Sequence, residues 1–74
     1  MVAGADARRQ FAGLTAREHE ALGLLARGWD NPRIAAHLGI ADKTVRNLVS
    51  TILVKLQAAD RAGAIEKARQ AGLG

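Results

Sequence analysis

The sequence predicts an all-α fold, a compact four-helix domain, and three observations indicate this class. The apolar residues are mostly alanine, leucine, isoleucine and valine, with a single proline, and this composition favours helices over strands. Apolar residues recur along several segments at the spacing of one helix face. The chain has 74 residues, the size of one small domain, so its helices must share one core.

The first helix is predicted to begin after a polar cap. Residues 1–13 show weak periodicity and are predicted to be a flexible arm or linker remnant, and residues 14–74 the folded domain. Thr15 is a good N-cap, and Glu18 follows three residues later, which is the spacing of a capping box. Helix 1 should end before Gly28, because glycine readily ends a helix.

Residues 31–50 hold the central feature, two helical patterns separated by one glycine. Helix 2 is predicted to end at Leu38, because Gly39 can adopt the left-handed conformation that ends a helix. Helix 3 is predicted over about residues 42–56, with an apolar stripe along one side. Two helices joined by a tight turn containing glycine form a helix-turn-helix, whose second helix can enter a DNA major groove.

Polar residues mark the starts of the remaining helices. Asp30 or Asn31 is expected to cap helix 2, and Pro32 favours Asn31, because proline disfavours helical geometry in the residue before it. Asp60 is expected to cap helix 4, which is predicted over about residues 61–71.

The net charge of +4 suggests a polyanionic partner, and its distribution is more informative than its size. Part of the positive excess falls on helix 3, which contains one acidic residue, Asp42, and three basic residues, Lys43, Arg46 and Lys55. These residues either contact nucleic acid or form the solvated face of an amphipathic helix.

Other classes of function find no support in the sequence. The chain has no cysteine, and His19 and His37 are far apart without a nearby ligand cluster, so no metal or cofactor is expected. No carboxylate pair, nucleophile–base arrangement or phosphate loop occurs at a useful spacing, so no enzyme is expected. An apolar run of membrane-span length and a secretory signal are both missing, which predicts a cytoplasmic protein.

Short motifs in a fixed order carry a family resemblance. They are Leu14-Thr15 with Arg17-Glu18, Gly28, Asn31, Ile34-Ala35, Leu38-Gly39, Thr44-Val45, Ile52-Leu53, Lys55-Leu56 and Arg61. The chain therefore resembles the LuxR-type DNA-binding domain found at the C-terminus of NarL/FixJ-like response regulators. The resemblance implies a homodimer on duplex DNA, with helix 3 as the recognition helix and helix 4 supplying the dimer contact.

The resemblance also implies roles for particular residues. Base-reading positions of the family correspond to Arg46, Asn47 and Ser50. Phosphate contacts are predicted for Lys43, Thr44 and Lys55. The dimer contact is predicted at Ile65 and Ala68, although Ile65 can instead complete the core.

The family further implies partners, and the sequence departs from the family pattern at a few places. A receiver or small-ligand sensor domain is expected to precede the module, and RNA polymerase is a further candidate partner. Leu48 replaces a frequent histidine, Ser50 and Val54 replace frequent basic residues, and Gln57 replaces a common glycine. The first three favour the alternative function, a helical protein-interaction or dimerisation module that has lost DNA binding.

Overall fold

The computed structural model describes residues 11–72, which fold into four helices without a strand, and this confirms the predicted fold class. The helices are α1 (Ala16–Ala26), α2 (Asn31–Leu38), α3 (Asp42–Leu56) and α4 (Arg61–Gln70). Most of the predicted arm, residues 1–10, lies outside the described residues. Within residues 11–72, no helix combines the length and the apolar character needed to cross a membrane.

The core lies where α1, α3 and α4 meet, and α2 packs onto α3 beside it. Its largest fully enclosed side chains are Leu22, Leu25, Ile34, Val45 and Ile52. Burying such a side chain stabilises a fold by about 1.5–3 kcal/mol, and this burial is the main stabilising term in a domain without disulfides. Phe11 is also buried in this core, although it lies within the predicted arm, three residues before the predicted start of the domain.

The predicted capping box is present at the start of α1. The Thr15 hydroxyl accepts a hydrogen bond from the Glu18 amide at 3.1 Å, and the Glu18 carboxylate accepts one from the Thr15 amide at 2.8 Å. These reciprocal bonds satisfy two backbone donors that a helix start otherwise leaves without a partner.

The predicted cap of α2 at Asn31 is wrong, because Asp30 holds that position. The Asp30 carboxylate accepts a hydrogen bond from the Arg33 amide at 3.0 Å, and its charge suits the positive end of the helix dipole. Asn31 is already helical, and its side-chain oxygen accepts from the Arg61 guanidinium at 2.6 Å. Asn31 therefore contributes a contact between α2 and α4 and does not cap α2.

The turn between α2 and α3 follows the predicted glycine stop. Gly39 has a φ of 68°, in the left-handed region, and the Ile40 amide donates back to the Ala35 carbonyl at 3.1 Å. The Arg17 guanidinium, on α1, donates to the Leu38 carbonyl at 3.2 Å and satisfies the end of α2 from outside. This turn sets the direction in which α3 leaves α2.

The end of α3 is conformationally strained, because Gln57 adopts a φ of 56° there. A left-handed backbone costs a residue with a Cβ about 1–2 kcal/mol, whereas glycine adopts it freely. The family that the sequence resembles commonly has a glycine at this position, and the left-handed backbone explains why. This chain has Gln57 there instead.

We therefore expect Gln57→Gly to raise the free energy of unfolding by about 0.5–1 kcal/mol, after the extra backbone entropy of glycine is subtracted. Urea unfolding followed by circular dichroism measures the change. Gln70→Gly is the control with the same substitution, and it should destabilise the domain because Gln70 lies within α4. Equal changes in both variants would contradict the assignment of strain to Gln57.

Candidate nucleic-acid interface

The two sides of α3 have opposite characters. The buried side consists of Val45, Val49, Ile52 and Leu56. The residues predicted to read bases, Arg46, Asn47 and Ser50, are all exposed and follow the spacing of one helix face. Lys43 and Thr44 are exposed in the first turn of the same helix. The structure thus brings five of the six predicted DNA contacts onto one accessible surface.

Arg46 is the most versatile donor on this surface. Its guanidinium lies 3.6 Å from the Asp42 carboxylate one turn earlier, and the two side chains are 69% and 50% exposed. An ion pair this exposed contributes at most about 1 kcal/mol, so it orients the arginine without withdrawing it from a ligand. The planar fork remains able to donate two parallel hydrogen bonds.

Two neighbouring hydroxyls on α3 differ in availability. The Thr51 hydroxyl donates to the Asn47 carbonyl within the helix at 3.0 Å. It is therefore engaged with the backbone, as often happens to threonine inside a helix. The Ser50 hydroxyl and the Asn47 amide project from the exposed side.

Lys55, the sixth predicted DNA contact, is engaged within the domain. Its ammonium donates to the Glu18 carboxylate at 2.7 Å and to the Gly13 carbonyl at 3.0 Å. Glu18 is only 6% exposed. The hydrogen bond from Lys55, followed by that from the Thr15 amide, holds the pKa of Glu18 below its ordinary value. The phosphate role of Lys55 stays a prediction.

The two predicted dimer residues on α4 lie in different environments. Ala68 is 0% exposed and belongs to the core of its own chain, where the small side chain lets α4 lie close to its neighbours. Ile65 is half-buried against the same core. In this fold the Ala68 side chain does not reach the surface, whereas Ile65 is partly accessible, and the dimer role of both residues stays a prediction.

Three arginines outside α3 donate hydrogen bonds to backbone carbonyls of other segments. Each satisfies a carbonyl at the end of a helix or in a loop, where the backbone lacks an intrahelical partner. The bonds run from Arg17 to Leu38, from Arg61 to Trp29 and from Arg69 to Ala26, at 3.2, 2.8 and 3.2 Å. Arg17 and Arg61 carried a sequence signal, because both belong to the family motifs, whereas Arg69 carried none. Much of the positive charge therefore stabilises the fold.

Trp29 forms a small cluster with α2 at the edge of the core. The Arg33 guanidinium lies 4.0 Å from the centre of the indole ring, and the His37 ring meets it edge-on at 5.2 Å. A cation over an indole contributes about 0.5–1 kcal/mol at an exposed site. The cluster packs against the core, where Trp29 is partly buried.

Comparison with known proteins agrees with this geometry. The family model described as "Bacterial regulatory proteins, luxR family" matches residues 12–68. The DNA-binding transcriptional activator DevR/DosR of Mycobacterium tuberculosis is 40% identical over 95% of this chain and 35% of its own length. The transcriptional regulatory protein DesR of Bacillus subtilis is 44% identical, over 80% of this chain and 30% of its own length. The response regulator VraR of Staphylococcus aureus is 47% identical, over 81% of this chain and 29% of its own length.

The chain belongs to the LuxR family of bacterial regulatory proteins, and the resemblance seen in its motifs is confirmed. It spans about a third of the length of these relatives, of which two are named as transcriptional regulators and one as a response regulator. The family assignment covers the helix-turn-helix formed by α2 and α3 and the helices that support it.

Proposed function

We propose that this chain is the duplex-DNA-binding output module of a bacterial transcriptional regulator, with α3 as the recognition helix in the major groove. The observation that carries this proposal is the exposed row of Arg46, Asn47 and Ser50 on a helix whose other side is fixed in the core. A rigid helix can present such side chains to base edges with little loss of backbone conformational entropy on binding.

Each residue of the row has a chemical role in this proposal. Arg46 donates two hydrogen bonds to the O6 and N7 atoms of a guanine, and Asn47 pairs with the N6 and N7 atoms of an adenine. Each such pair discriminates against a wrong base by about 1–3 kcal/mol. Ser50 bonds to either kind of base and adds little selectivity. Lys43 and Thr44 hold phosphates and set the register of the helix.

A homodimer is the second part of the proposal. A single module this small buries little surface on DNA, so its affinity is expected to be weak and sensitive to salt. Two copies related by a twofold axis place their recognition helices in successive major grooves. In this arrangement α4 supplies the contact through Ile65, which is partly accessible, with Ala68 enclosed beneath it.

The relatives extend the proposal beyond this chain. They are about three times as long as the region they share with it, and VraR is named as a response regulator. We therefore propose that a receiver or sensor domain controls the module, that it acts in the cytoplasm, and that RNA polymerase is a further partner.

One observation favours a different function. Val54 is 76% exposed on the α3 surface, and it is the one large apolar side chain so exposed among the described residues. Beside DNA it can touch a thymine methyl group, but it also suits a helical protein-interaction module that has lost DNA binding. The two functions differ in whether a nucleotide sequence is selected.

Selection of duplexes from a random library, followed by anisotropy over a salt series, tests the proposal. We expect a selected site that contains a guanine opposite Arg46, with an affinity that falls steeply as salt rises. A tandem copy of the chain should bind the twofold site more tightly than the single chain does. If the folded chain selects no sequence, the protein-interaction module becomes the better account.

A further inference from the structure

The last turn of α3 is tied to the start of α1 by one carboxylate. The same Glu18 oxygen accepts hydrogen bonds from the Lys55 ammonium at 2.7 Å and from the Thr15 amide at 2.8 Å. Lys55 also donates to the Gly13 carbonyl at 3.0 Å. Among the described residues, Glu18 is the only charged residue that is buried. The network thus joins the chain entering α1, the α1 capping box and the recognition helix.

We infer that Lys55 is a positioning residue, which fixes the orientation of α3 through Glu18 and does not act by neutralising a phosphate. This inference rests on the proposed function. Lys55 lies nine residues after Arg46, or about 13 Å along the helix axis at 1.5 Å per residue. Holding the far end of α3 therefore limits the tilt with which Arg46 and Asn47 approach the base edges.

The chemistry of the pair explains why a phosphate is the poorer partner for Lys55. An ammonium has three N–H donors, and two of them are used inside the domain. Turning Lys55 toward DNA would leave the enclosed Glu18 carboxylate without its cation, which is strongly unfavourable. Lys43, in contrast, is exposed in the first turn of α3 and can reach a phosphate without breaking a partly buried ion pair like that of Lys55 with Glu18.

Two single substitutions separate these roles. Glu18→Gln removes the charge but keeps the capping box, because glutamine also serves at that position. Lys55→Met removes the ammonium and keeps most of the apolar stem. The two substitutions remove opposite charges, so a simple electrostatic effect on DNA would change affinity in opposite directions. A positioning role predicts that both lower it.

The test measures DNA affinity over a salt series for the whole 74-residue chain and its variants. We expect each single variant to lose about tenfold in affinity with an unchanged salt slope, and the double variant to lose little more, since the two residues act as one unit. Lys55→Arg should recover most of the affinity. Lys43→Met is the control for a phosphate contact and should lower the salt slope by about 1. Arg27→Met, at the end of α1, controls for the loss of a positive charge outside both α3 and α4.

Several results would overturn the inference. One is a Lys55→Met slope that falls by about 0.9, as for a lost phosphate contact, together with unimpaired binding by Glu18→Gln. Another is a lower melting temperature with unchanged affinity well below melting, which would mark a role in stability alone. If the parent chain binds no duplex, the proposed function fails by itself. Amide hydrogen exchange at the last turn of α3 then tests the positioning role of Lys55 without DNA. Faster exchange in both variants supports the connection between Glu18 and Lys55, and unchanged exchange overturns it.

Discussion

Replacing Ile52 by alanine is expected to lower the free energy of unfolding by about 2–5 kcal/mol. Ile52 is fully enclosed on the core side of α3, between helices that cannot close the resulting cavity without moving. A domain of this size has a net stability of roughly 3–5 kcal/mol, so a large part of the population of the variant should be unfolded. Urea unfolding followed by far-ultraviolet circular dichroism measures the loss.

Val54→Ala is the matched control, because Val54 lies on the same helix two residues later and is 76% exposed. Its effect on stability should stay within about 0.5 kcal/mol. The contrast tests the assignment of the two sides of α3. Similar unfolding curves for both variants would contradict it, since the buried side would then not be the one formed by Ile52 and its neighbours.

Replacing Arg46 by alanine is expected to lower the affinity for a selected duplex by about 1–3 kcal/mol, or roughly 5- to 150-fold. The loss should be concentrated at one base pair, because the variant can no longer form the paired hydrogen bonds to guanine. Affinities for duplexes substituted at each position in turn measure both effects. The stability of the domain should hardly change, since Arg46 is exposed and its ion pair with Asp42 is weak.

Arg27→Ala removes an equal charge from the end of α1, away from the α3 surface. It should reduce affinity slightly and equally for all duplexes, as expected for a general electrostatic effect. Arg46→Lys should keep much of the affinity but lose discrimination, because lysine lacks the planar fork. Unchanged affinity and base preference in Arg46→Ala would remove that residue from the proposed interface.

Local patterns in the sequence were sufficient for the helices and for the two sides of α3. The capping box at Thr15 and the stop at Gly39 depend on residues close together in the chain, and both appear as predicted. The apolar stripe of α3 defines its buried side, and the exposed row of Arg46, Asn47 and Ser50 follows from the same periodicity. Backbone hydrogen bonds and helix periodicity act over a few residues, so sequence spacing contains this information.

Only the tertiary structure decided how the charged side chains are used. Lys55 and Glu18 are 37 residues apart, and Arg61 and Asn31 are 30 apart, yet both pairs are in contact. Sequence spacing cannot show such pairs, because the contacts depend on how the helices cross. The same packing encloses Ala68 in the core of its own chain. The sequence by itself thus determined which side of α3 is exposed, because that follows from local periodicity, whereas packing determined that Lys55 is engaged within the domain while Lys43 and Arg46 stay exposed.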